Sequence, residues 1–145
     1  MRFLVATDGS EVSDTAVEYA AREAIAWGVP LEIVHVLTPE TELVDGNLVL
    51  PGEEEAMEHG EGTLRQAKRR AVEIVDGSES ESEIEITTEL LAGRPAEAIT
   101  QHADETGVTA IYVGHRGLSE KRQQVVGSVA KTVVDKATVP VTIIK

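Results

Sequence analysis

Towards its end the chain reads Gly114-His-Arg-Gly117, then nine residues, then Gly127-Ser128. Gly114 closes the apolar run Ala110-Ile-Tyr-Val113, and Gly127-Ser128 opens the apolar-periodic stretch Val129 to Ala137. Each glycine removes a Cβ where backbone N–H groups must turn towards one point. The last pair also falls where a helix N-terminus offers unpaired donors and a positive dipole end. The spacing predicts a phosphate cradle. The Ser128 hydroxyl can donate to a phosphate oxygen or, alternatively, serve as the helix N-cap. Arg116, Lys121 and Arg122 form the basic cluster near this loop, and each can offset phosphate charge. His115, in the same turn, can contact phosphate when protonated. Asp8 can hold a divalent ion, Mg2+ or Mn2+, that bridges phosphates; as the residue before Gly9 it can equally be a turn former. The four histidines lack metal-ligand spacing, and His35, inside an apolar run, reads as a core residue with its polar atoms satisfied.

Strand and helix signals alternate along the chain, which predicts a parallel sheet covered on both faces. Strand candidates are Phe3 to Ala6, Leu31 to Leu37, Ile84 to Thr88, Ile111 to Val113 and Val141 to Ile144. Ile84-Glu-Ile86 alternates and suits a sheet edge; the continuous runs suit burial on both faces. A first helix follows Ser10 as N-cap, with Val12, Ala16, Ala20, Ala24 and Trp27 as its buried stripe and Gly28 and Pro30 as its stop. Leu64, Ala67, Ala71, Ile74 and Val75 mark a second helix. Pro95 fits the first turn of a third, with Ala96, Ile99 and Ala103 facing inward and Gly107 ending it. Val129, Val133, Val134 and Ala137 give the fourth its apolar face. Residues 39–62 contain prolines, glycines and the run Glu53-Glu-Glu55, and read as a flexible acidic insertion in a single domain over residues 1–145.

These motifs together resemble the universal stress protein family. Gly-x-x-Gly, nine residues, then Gly-Ser is similar to that family's ATP-binding signature. Phe3-Leu-Val-Ala-Thr-Asp8-Gly-Ser10 resembles its first strand and turn, and Ile33-Val-His-Val36 the end of its second strand. Gly93-Arg-Pro-Ala-Glu-Ala-Ile99 resembles the start of its third helix, and Pro140-Val-Thr-Ile-Ile144 its terminal strand. The resemblance implies an α/β fold of the adenine nucleotide alpha hydrolase-like kind, an open five-stranded parallel sheet of order 3-2-1-4-5 with helices on both faces. It implies ATP or another adenine nucleotide as ligand. The main chain at Val36 would bind adenine, and Ala6, Thr7 and Asp8 would line the adenosine pocket. Val113 and Gly114 would flank ribose and phosphates, and Gly117, Gly127, Ser128 and Val129 would hold the phosphates. It also implies a homodimer through the C-terminal strand.

The formal net charge of −13, from 26 acidic against 13 basic residues, argues against a nucleic-acid partner and suits either ordinary acidity or a high-salt habitat. With no cysteine, thiol chemistry is excluded. The apolar run near Met1 is too short for a membrane span, so the expectation is a cytoplasmic protein with no membrane partner. No Walker motif, pyrophosphatase loop or adenylyl-transfer motif occurs. The leading expectation is therefore a nucleotide-responsive regulatory module in stress, acting on an unidentified protein partner. The alternatives are a slow ATPase or phosphotransferase using Asp8 and a divalent ion, and a dimeric scaffold independent of nucleotide.

Overall fold

The computed structural model describes residues 1–38, 42–44, 47–49, 53–79, 83–116 and 126–145, with backbone alone at 42–44, 47–49 and 53. In chain order the elements are β1 (Phe3–Ala6), α1 (Glu11–Trp27), β2 (Leu31–Leu37), β3 (Glu42–Val44), β4 (Asn47–Val49), α2 (Glu53–Asp76), β5 (Ile86–Ala92), α3 (Pro95–Thr106), β6 (Ala110–Gly114), α4 (Ser128–Lys136) and β7 (Val141–Ile144). Five of the strands form one parallel sheet in the order β5-β2-β1-β6-β7. Counted along the chain within that sheet, this is 3-2-1-4-5, the order the resemblance implies.

Two apolar layers sandwich the sheet. Val5, Leu31 and Ile33 point to one face, where they meet the small residues Ala16, Ala20 and Ala24 of α1 and Ala67 and Ala71 of α2. Leu4, Val34, Ile111 and Val113 point to the other, against Ile99 and Ala103 of α3 and Ala130 and Val133 of α4. The alternation follows from the strand's period of two, and the alanine-rich stripe lets α1 lie close to the sheet. Ser10 caps α1 as expected, its hydroxyl accepting the Ser13 N–H at 3.2 Å. Pro95 sits at the start of α3.

Several expectations are corrected. Trp27 is not core but 64% exposed. The left-handed Gly28 turns the chain back, and Val29 fills the core position instead. The third strand of the sheet runs Ile86–Ala92 rather than Ile84 to Thr88, because its length is set by its partner: the ladder starts at Leu31↔Ile86 and ends at Leu37↔Ala92. It does occupy a sheet edge. Helix α2 begins at Glu53, well before Leu64, and so includes Gly60 and Gly62. An antiparallel β3–β4 pair precedes it, with Leu43 opposite Leu48. In α4 the buried residues are Ala130 and Val133; Val129 and Val134 are exposed, since the helix turns a narrower stripe to the sheet than the valine pattern suggests.

One charged cluster lies inside this frame. Glu32 of β2 is 5% exposed and is bonded by the guanidinium of Arg2 and by Nε2 of His102 on α3. A buried carboxylate requires such partners, and two strong donors meet that need here.

Candidate functional site

The carboxyl ends of β2, β1 and β6 are neighbours, and strand order reverses between β1 and β6. In an open parallel sheet that crevice is where ligands bind. Two turns flank it, one after β1 and one after β6.

The first turn, Thr7-Asp8-Gly9-Ser10, is wired from within. Ser13 Oγ donates to the Ser10 carbonyl at 2.9 Å, so the 3.0 Å contact between Ser13 Oγ and Thr7 Oγ1 must be a donation from Thr7. Thr7 Oγ1 in turn accepts the Gly9 N–H at 3.2 Å, and the Asp8 N–H lies 3.3 Å from Ser13 Oγ. Asp8 Oδ1 accepts the Ser10 N–H at 2.9 Å, an Asx-type turn that gives Asp8 a structural use. Gly9 carries φ of +83°, a conformation that favours glycine. With Thr7 buried and its hydroxyl engaged, what it offers a ligand is main chain. Ser13, the hub of this network, was absent from the expected site. Its signal in the sequence was its place three residues after the helix cap, where a small hydroxyl can reach back to the turn.

The second turn begins at Gly114. A Cβ there would stand 2.8 Å from Val12 Cγ1 and 3.5 Å from the Val12 main-chain carbon. Glycine at 114 is thus explained by the close approach of α1. His115 follows with its N–H donating to the Ile144 carbonyl at 2.7 Å and its own carbonyl accepting the Gly127 N–H. The residue is 6% exposed and Nδ1 lies 3.3 Å from the same Ile144 carbonyl. Nδ1 is therefore directed towards the end of β7.

Gly127, not Ser128, is the N-cap of α4, with φ −66° and ψ 162° and no side-chain capping bond. Ser128 is the first helical residue and is exposed, as is Val129. This corrects the reading of Ser128 as a cap and leaves the first-turn N–H groups without a side-chain acceptor from the cap position. On the facing turn, Arg116 Nε is buried and lacks a hydrogen-bond partner among the described residues. An uncapped helix start and an orphaned guanidinium donor form a fit for an anion. Gly117, Lys121 and Arg122 lie outside the described residues.

Beside these polar groups runs an apolar rim. Ala6, Val36 and Val126 are partly buried at the upper edge of the α3–α4 layer, above the buried Val113. Leu91, paired with Val36 across β2 and β5, joins them and was also not anticipated. Among the described residues, no group of three or more His, Asp or Glu could hold a metal ion. A divalent ion at Asp8 would thus need oxygens from a ligand. The α1 start is acidic: burial pushes the Asp14 carboxyl up, Arg70 opposes this, and Glu18, Asp8 and Glu11 add to the rise. No helix among the described residues is long and apolar enough to cross a membrane.

An open 3-2-1-4-5 parallel sheet with glycine-bearing turns at its switch point defines an α/β protein of the adenine nucleotide alpha hydrolase-like class. A sequence model described as the universal stress protein family matches residues 1–145. Universal stress protein YxiE of Bacillus subtilis is 32% identical over 151 residues, covering 99% of this chain and 98% of its own. A universal stress protein of Archaeoglobus fulgidus, solved in complex with dAMP, is 28% identical with a TM-score of 0.74 and covers 100% of this chain and 98% of its own. Another universal stress protein structure, in complex with cAMP, is 25% identical with a TM-score of 0.74, over 100% of this chain and 97% of its own. The chain belongs to the universal stress protein family.

Proposed function

We propose that this chain binds an adenine nucleotide, ATP in the first instance, in the crevice between the turns after β1 and β6, and acts as a nucleotide-responsive regulatory module. The observation that carries this reading is the buried Arg116 Nε, without a hydrogen-bond partner among the described residues, one residue after the His115 carbonyl that binds the uncapped start of α4. The phosphates sit at the Gly127 end near Ser128 and Val129, with Arg116 beside them; Gly117, which lies outside the described residues, belongs to the same proposal through the family signature. The base lies along Ala6 and Val36, and Thr7, Asp8, Val113 and Gly114 lie between. The dAMP and cAMP complexes of similar proteins support an adenine ligand. His115 Nδ1 lies 3.3 Å from the Ile144 carbonyl, and the reading adopted is of a site that holds a nucleotide rather than cleaving it. Any Mg2+ or Mn2+ is carried by the nucleotide, with Asp8 as the protein's carboxylate.

Mass spectrometry of nucleotide retained through purification, followed by calorimetric titration with ATP and AMP, tests the binding. No binding of either at ~1 mM overturns it. Single-turnover mixing separates holding from hydrolysis: ATP that converts faster than it dissociates, with conversion lost in Asp8→Ala, establishes the slow-ATPase alternative instead.

The homodimer belongs to the same proposal. β7 is an edge strand, and Val141, Thr142 and Ile143 are only half buried. Pairing with a second copy would cover that edge. Sedimentation showing a monomer at ~50 μM would count against a physiological dimer. The charge of −13 supports a further part of the proposal, adaptation to high salt in the cytoplasm. A melting midpoint that rises from dilute to molar KCl supports it, and a fall sinks it.

A further inference from the structure

We infer that His35 is a positioning residue for the nucleotide site, its imidazole holding the Thr7 carbonyl and so setting the turn that carries Asp8 and Gly9. The inference rests on the nucleotide reading of that crevice. β1 ends at Ala6, and although the Thr7 N–H still reaches the Val34 carbonyl at 2.9 Å, the Thr7 carbonyl lies past the ladder and needs a donor. His35 Nδ1 lies 2.7 Å from it. A carbonyl can only accept, so Nδ1 carries the proton in this contact.

Helix α2 holds this ring from behind. A Cβ at Gly60 would fall 3.3 Å from His35 Cδ2, 3.0 Å from Leu37 Cδ2 and 2.9 Å from Leu90 Cδ1, so the glycine lets α2 lie directly on the imidazole. One turn on, Thr63 Cγ2 stands 3.6 Å from where a Gly9 Cβ would be. A single helix thus covers both the ring and the turn it anchors. The imidazole occupies the α1–α2 side of β2, whereas the apolar rim of the site is on the α3–α4 side. His35 therefore acts on the ligand through Thr7 and is not itself a ligand contact.

The expected signature is dependence on one N–H donor, independent of ring or charge. Calorimetric titration with ATP is compared for wild type, His35→Leu and His35→Asn, the Asn amide N–H replacing Nδ1–H. Amide hydrogen exchange at Gly9 and Ser10 is followed in the same proteins without nucleotide. His35→Leu should weaken ATP binding roughly tenfold and speed exchange at both amides, and His35→Asn should restore affinity to within about threefold and exchange to the wild-type rate. Wild-type affinity and exchange in His35→Leu overturn the inference, as does an Asn variant as impaired as the Leu variant. If wild type binds no ATP, the nucleotide reading fails, while the exchange comparison still decides whether His35 positions the turn.

Discussion

The main-chain carbonyl of His115 accepts the N–H of Gly127, so the end of β6 and the cap of α4 are held together across residues 116–126. The same residue's N–H donates to the Ile144 carbonyl at 2.7 Å, tying the cradle to the edge strand. The two main-chain bonds of this one residue therefore tie the α4 N-terminus to both β6 and β7.

Gly127→Ala and Gly127→Val should both weaken ATP binding, the branched variant by about a hundredfold or more, because a side chain enters the space a phosphate must approach. The backbone at φ −66° is open to any residue, so strain is not the cause. Calorimetric titration beside a thermal melt checks this, and unchanged affinity in the valine variant removes Gly127 from the cradle.

Gly114→Ala should destabilise the fold by roughly 1–3 kcal/mol through overpacking against Val12. The added methyl meets Val12 Cγ1 at 2.8 Å, on the side of the turn packed by α1. Val12→Ala in the same chain should recover most of the loss. A double-mutant cycle in urea showing additive effects would contradict the close approach.

Arg2→Met should cost on the order of 2–4 kcal/mol, since it leaves the Glu32 carboxylate buried with His102 as its remaining ion partner among the described residues. Arg2→Met with Glu32→Leu should be more stable than Arg2→Met alone, because the stranded charge is gone. Urea unfolding of the two variants measures the order, and the reverse order would refute it.

Burial raises the Tyr112 phenol to about 12, with Glu23 and Tyr19 adding to the rise. Tyrosine in the unfolded chain ionises near ~10. Between these values the native state keeps a proton that the unfolded state has lost, so the stability this group contributes is present below ~10 and declines as pH rises towards 12. Tyr19 is also raised, through its hydrogen bond to Glu23. Absorbance titration should resolve a late phenol step that disappears in Tyr112→Phe; a late step that survives would contradict the assignment.

Much of this protein was legible in its residue pattern. Continuous apolar runs require burial on both faces, and alternation with helices requires parallel strands. Ser10, Gly28 and Pro95 acted where their local chemistry said they would, because caps and breakers work over a few residues. Tertiary structure decided what depends on distant neighbours. Trp27 left the core because Val29 took its place, β5 took its length from β2, and α2 reached back to Glu53 because Gly60 fits over His35, Leu37 and Leu90. The glycine spacing marked Gly114 as a turn residue, and the packing of α1 adds a second reason for glycine there, the close approach of Val12. Residue types determined which groups could do chemistry; the packing of helices on the sheet determined which of them came together, Thr7 with His35 and His115 with Gly127 and Ile144, since that depends on contacts far apart in the chain.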